Sequence, residues 1–175
     1  SQPPELRWLV VPHLRRGRTA GGMAPPFHPV ATLGRMVQSA EQEDGVYLIA
    51  VAGSQRVRLT EIPSDGPFRQ ARIEVLPDVP SSDVERAMAE LCQAAMAWAR
   101  LVGREADGLL ALFGEPFAHG EGLYRVGDLL MTDADARQGL LEARDPAARA
   151  RRVLDAVADQ IIRAHARGAS PRRGA

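Results

Sequence analysis

Apolar and polar positions recur with a period of two between residues 29 and 78, and beyond residue 80 the period lengthens to about 3.6. The switch predicts a β region followed by a helical one. Strands are predicted near 28–39, 46–52, 55–62 and 68–76, preceded by the apolar run Arg7–Leu14, which reads as a buried strand. Ala71, Ile73 and Val75 alternate with Arg72 and Glu74, and Val57 and Leu59 alternate with Arg56 and Arg58. Asp44-Gly45, Gly53-Ser54 and Ser64-Asp65-Gly66-Pro67 separate the runs; such dipeptides supply the positive φ of tight turns. Gly34 interrupts its own strand, which predicts a bulge or a tight barrel bend. The pattern is that of an antiparallel meander, curled into a small barrel or left as an open sheet.

From Pro77 onward the reading is helical. Ser82-Asp83-Val84-Glu85 reads as a capping box, and Val84, Met88, Leu91, Ala95, Trp98 and Val102 form one stripe on a helix that stops near Gly103. A Gly-rich stretch over 103–122 follows, then helices near 123–131 and 133–143, the latter with Asp133 and Asp135 at its dipole-favoured start. Asp145-Pro146 reads as an N-cap with proline at the first helical position, opening a final helix with the stripe Ala150, Val153, Leu154, Val157, Ile161 and Ile162. Residues 15–27 read as a mobile loop and 168–175 as a disordered basic tail. The fold class is therefore α+β: an antiparallel sheet subdomain over 1–79, a helical bundle over 80–167 and the tail.

Composition narrows the chemistry. All 22 basic residues are Arg, which stays protonated, so these 175 residues hold neither a Ser–Lys dyad nor a P-loop lysine. Formal net charge is zero, which gives no global field for nucleic acid or an anionic membrane. The lone Cys92 excludes an internal disulfide and a cysteine-cluster zinc site, and reads as a small buried hydrophobe on the long helix. His13, His28, His119 and His165 are scattered without ligand spacing, so neither metal nor cofactor is expected. Ser54 lacks a Gly-x-Ser-x-Gly elbow and reads as a turn residue. Arg15-Arg16-Arg18 and Arg149-Arg151-Arg152 read as solvated faces rather than phosphate contacts. No apolar run approaches the roughly 20 residues that span a bilayer, and no signal peptide is visible, so the cytoplasm is the expected compartment. The first residue is Ser, which suggests a processed or trimmed start.

An ordered set of positions carries a family resemblance: Pro29-Val30 with Leu33-Gly34-Arg35, Asp44-Gly45-Val46-Tyr47, Gly53 with Arg56-Val57-Arg58-Leu59, Pro67-Phe68-Arg69 with Ala71, and Leu76-Pro77-Asp78. Gln138, Leu140-Leu141-Glu142, Asp145, Arg149 and Leu154 sit like a closing helical segment. The set resembles the N-terminal, substrate-binding domain family of Lon proteases, a PUA-like β fold followed by helices. Gly34, Gly45, Gly53 and Pro77 are its structural landmarks here.

The resemblance implies a stand-alone bacterial protein without the ATPase and peptidase domains. It would be non-catalytic, binding exposed hydrophobic or unfolded polypeptide segments or acting as an adaptor. An RNA-associated module is the alternative, since PUA-like folds occur there too. The family's usual opening strand, of the type Leu-Pro-Leu-Phe-Pro-Leu, has no counterpart, and Arg7–Leu14 resembles a later strand. An open front edge, and self-association through it, are expected. Leu109, Leu110, Leu112 and Phe113, with Phe117 nearby, read either as core beneath a loop or as an apolar lip that accepts unfolded segments.

Overall fold

A computed structural model describes residues 8–15, 26–66, 68–103, 113 and 121–168. The chain divides into two compact units, Ser1–Pro77 and Asp78–Ala175. The first holds β1 (Trp8–Val11), β2 (Val30–Glu41), β3 (Tyr47–Ile62) and β4 (Gln70–Val75) in one antiparallel sheet of order β1-β2-β3-β4. The second holds α1 (Val84–Leu101), α2 (Glu121–Leu130), α3 (Ala134–Glu142) and α4 (Pro146–Gly168). The α+β class and the β-then-α order are those the periodicity predicts.

Asp44-Gly45 makes the β2–β3 turn as expected. Gly45 has φ +80°, the Val46 amide donates to Asp44 Oδ1 at 3.1 Å, and the Gln42 amide donates to the Val46 carbonyl at 2.8 Å. Gly53-Ser54 is not a turn. The two strands predicted at 46–52 and 55–62 are one continuous β3, and Gly53 pairs with Gly34 of β2. The register jumps from Leu33↔Gln55 to Gly34↔Gly53, so Ser54 is the extra residue of a bulge. Glycine and serine suit a bulge as well as a turn, and only strand pairing separates the two. A second jump, between Met36↔Val51 and Gln38↔Ala50, leaves Val37 as the extra residue on β2.

Alternation in β4 holds in the ladder. Val57↔Val75 and Leu59↔Ile73 share one face, and Arg58↔Glu74, an ion pair at 3.3 Å, lies on the other. Burial does not follow it: Val57 and Leu59 are buried, whereas Ile73 and Val75 are exposed. β1 departs from expectation in the same way, since Trp8 and Val11 are exposed rather than core. Both are outer strands with one neighbour among the described residues, and the pattern along a strand says nothing about its place in the sheet. The core of this unit is small: Ala31, Val57 and Leu59, with Val10, Phe27 and Leu33 packed on it. The Arg56 guanidinium is also buried and donates to the Leu76 carbonyl at 3.2 and 3.1 Å.

The helical unit has a longer seam. Leu91, Ala95 and Ala99 of α1, Leu123, Val126 and Leu130 of α2, Leu140 of α3, and Ala150, Val153 and Val157 of α4 are buried together. Each fully buried Leu or Val side chain contributes about 1.5–3 kcal/mol. The predicted α1 stripe holds at Val84, Leu91 and Ala95, with Met88 and Trp98 half-buried; Val102 is exposed beyond the helix end. In α4, Ile162 is likewise exposed. Cys92 is half-buried. The capping box does not form. Asp83 is the N-cap, without a side-chain cap bond, and its carboxylate takes Arg86 at 3.2 Å and Arg151 at 3.1 Å. Asp133 and Asp145 do cap, accepting from the Ala136 amide at 2.8 Å and the Ala147 amide at 2.9 Å. Gly103, at φ +67°, follows the end of α1 as its left-handed stop.

Candidate functional site

The sheet has unequal reach. β1 covers β2 only over Thr32–Arg35, and β4 covers β3 only over Val57–Ile62. Beyond those limits the distal parts of β2 and β3 have only each other among the described residues, and they form a two-stranded arm closed by the Gly45 turn. Cross-strand partners share a face. Met36, Val51, Ser39, Ile49, Glu41 and Tyr47 lie on one, and Gln38, Ala50, Ala40 and Leu48 on the other. Met36 is buried and Val51 half-buried at the base, but from Gln38 to Ala50 both faces are exposed. Leu48 is 62% exposed, Tyr47 60%, Val46 53%, Val37 50% and Ile49 49%. The Tyr47 hydroxyl donates to Glu41 Oε2 at 2.8 Å, and that bond raises the phenol above its ordinary pKa. A contiguous apolar surface of this kind marks an interaction site, and a free two-stranded ribbon is marginal in water. The sequence marked Val46–Ala52 as a strand. Its unbroken apolar run, without alternation, was the signal that both faces would be apolar.

At the base of the sheet the β3–β4 connection frames a shallow groove of about 460 Å³, lined by Glu61, Ile62, Pro63, Ser64, Phe68 and Arg69. Arg69 grips Glu61 with two bonds, Nε to Oε1 at 2.5 Å and Nη2 to Oε2 at 2.7 Å, and its guanidinium lies 4.4 Å over the Phe27 ring. The Arg69 bond holds the Glu61 carboxyl below its ordinary pKa against the opposing effect of desolvation. Phe68 stands exposed at the lip.

Of the residues read as an apolar lip, Leu109, Leu110, Leu112 and Phe117 lie outside the described residues, as do 16–25 of the predicted loop, His119 and residues 169–175 of the tail. Phe113 is half-buried and packs on the helical core. Gly34 and Gly53 meet at the base of the arm, Gly45 turns its tip, and Pro77 closes the sheet unit. The histidines are less scattered than their spacing suggests. A bridge between Leu14 and Phe27 brings His13 and His28 together, with ring centroids 5.4 Å apart and stacked, and the His28 amide donates to the His13 carbonyl at 2.8 Å. Arg149, read as part of a solvated face, is fully buried. Both of its terminal nitrogens bond Asp78, and Nη1 also donates to the Tyr124 hydroxyl and the Ala143 carbonyl, each at 3.2 Å. Burial works to lower the Arg149 pKa, but Asp78 and Tyr124 outweigh it and the guanidinium ends above its ordinary value. Asp78 and Arg149, 71 residues apart, thus pair within the helical unit, the guanidinium buried and the carboxylate partly in water.

Residues 7–159 match the family model of the ATP-dependent protease La (LON) substrate-binding domain. The chain belongs to the Lon substrate-binding domain family. Among solved structures, the N-terminal domain of the Mycobacterium avium complex Lon protease covers 86% of this chain and 90% of its own, with a TM-score of 0.63 and 18% identity. That likeness is one of fold. A Lon N-terminal domain protein from Xanthomonas campestris covers 74% of this chain and 68% of its own, with a TM-score of 0.49 and 16% identity. Lon protease 2 of Syntrophobacter fumaroxidans (strain DSM 10017 / MPOB) is 34% identical over 59 residues, which are 34% of this chain and 8% of that relative. The match thus spans a small part of the curated relative's length. Among the described residues no helix is long and apolar enough to cross a membrane.

Proposed function

We propose that this Lon-family domain binds exposed hydrophobic segments of other polypeptides in the cytoplasm, holding them or passing them on as an adaptor, and catalyses nothing itself. The observation that supports the reading is the arm, whose large apolar side chains at Val46, Tyr47, Leu48 and Ile49 face solvent on both sides of a two-stranded ribbon. Burying that surface against an apolar segment gains about 25 cal/mol per Å² before the cost of ordering the segment. The absence of lysine supports the non-catalytic part, because the peptidase dyad and the phosphate-binding loop both need it.

Incubation with casein and ATP should give neither cleavage nor phosphate release above blank. A permanently unfolded, reduced and carboxymethylated protein should be retained on the immobilised domain with little dependence on salt. Turnover that survives repurification overturns the non-catalytic reading. Binding of RNA that weakens steeply with salt would favour the RNA-associated alternative, because phosphate contacts release counterions.

Self-association through the outer edge of β1 is proposed alongside. Trp8 and Val11 are exposed on that strand, and β2 is its only described neighbour. Light scattering should show a mass that rises with concentration; a constant monomer mass overturns it.

A further inference from the structure

We infer that the distal β2–β3 arm takes one kind of occupant: an extended polypeptide segment with an apolar run and Arg or Lys at the end that meets the arm's tip, added as a strand along the outer edge of β3. The inference rests on the polypeptide-binding reading and specifies its site and its selectivity.

Three observations converge on it. The first is the edge. β4 and the chain after it leave β3 at Arg56, whose carbonyl accepts from the Leu76 amide at 2.9 Å. From Tyr47 to Gln55 the outer side of β3 has no described neighbour. An extended segment can pair its backbone there, and main-chain bonds of this kind give affinity without demanding a sequence. The second is the apolar character of both faces beside that edge. Side chains of an added strand point alternately to the two faces. One face would meet Tyr47 and Ile49, and the other Leu48 and Ala50. An incoming segment therefore gains from a continuous apolar run rather than from an alternating one.

The third observation is charge. Residues 36–55 carry Glu41, Glu43 and Asp44 and no Arg, Lys or His. In a chain of zero net charge the arm is a local patch of three negative charges gathered at its tip. Arg35 and Arg56 bracket it only at its base. Cationic residues at the end of a ligand beside the tip would find Glu41, Glu43 and Asp44, and acidic ones there would be repelled. The same charges oppose a second copy pairing tip to tip.

The test uses the whole chain and labelled peptides, read by fluorescence anisotropy. One peptide has the sequence Arg-Arg-Val-Leu-Ile-Val-Leu-Arg-Arg, a second carries Glu in place of every Arg, and a third carries Pro in place of the central Ile. The arginine-flanked peptide should bind about tenfold or more tightly than the glutamate-flanked one. The proline peptide should lose a similar factor, because proline breaks the pairing ladder of an added strand. The double variant Leu48→Ser/Ile49→Ser, at exposed positions, should keep the circular dichroism of the wild type and lose about tenfold or more in affinity. The charge variant Glu41→Arg/Glu43→Arg should reverse the preference between the two flanked peptides.

Equal affinity for the Arg- and Glu-flanked peptides overturns the charge selection. Full binding of the proline peptide overturns strand addition. Unchanged binding of both the arginine-flanked peptide and the unfolded protein by Leu48→Ser/Ile49→Ser places the site elsewhere; it overturns this inference and leaves the polypeptide-binding function standing. A wild-type protein that retains neither ligand overturns the function itself. A dimer that Leu48→Ser/Ile49→Ser abolishes would make the occupant a second copy and overturn the inference.

Discussion

Asp78→Ala is expected to destabilise the helical unit by about 3 kcal/mol, the low end of the range for breaking a fully buried ion pair, because Asp78 itself is partly in water. The cost falls on Arg149. Its side chain is wholly buried, and its Nε already lacks a partner among the described residues. Without Asp78 the guanidinium keeps only neutral partners, the Tyr124 hydroxyl and the Ala143 carbonyl, with the Tyr124 ring 5.0 Å away. Arg149→Met should cost less, about 2–3 kcal/mol, because the Asp78 side chain keeps 35% of its surface in water and can turn to solvent. The double variant Asp78→Leu/Arg149→Met should recover much of the loss, since two apolar groups of similar volume need no desolvation. Urea denaturation followed by helical ellipticity measures all three. Single variants within about 0.5 kcal/mol of the wild type, the range of ordinary surface substitutions, would show that the pair carries no stability.

Gly34→Val should destabilise the sheet unit by about 1–3 kcal/mol through overpacking. The reason is close approach rather than an unusual backbone angle: among the described residues only Gly45 and Gly103 have positive φ. A Cβ at Gly34 would run into the Val51 side chain and stand 3.0 Å from the Ala52 carbonyl oxygen. The side chain can rotate away; the carbonyl belongs to the ladder and cannot. Gly53→Val is the control. Its Cβ would meet only the Thr32 methyl at 3.2 Å, a contact that a few tenths of an ångström relieve. The melting temperature should fall clearly for Gly34→Val and far less for Gly53→Val. Equal melting temperatures for Gly34→Val and the wild type would mean that the bulge yields to the added side chain.

The sequence by itself determined what depends on neighbours along the chain. Alternation fixed which strand residues share a face, Asp44-Gly45 fixed the tight turn, and the apolar stripes of α1 and α4 fixed the helical seam. Asp133 and Asp145 announced two helix starts for the same reason, because a cap bond closes over two or three residues.

Tertiary structure decided whatever depends on partners far apart in the chain. Gly53-Ser54 has the composition of a turn, and it became a bulge only because β2 runs long enough to pair on both sides of it. Arg149 has the appearance of a solvated charge in an arginine-rich helix; it is buried because Asp78, 71 residues earlier, meets it. Trp8, Ile73 and Val75 have core chemistry but sit on the outer strands of the sheet. The apolar arm follows from the same physics. A strand's pattern records which faces are apolar, whereas the lengths of β1 and β4 decide how much of β2 and β3 is left without neighbours among the described residues.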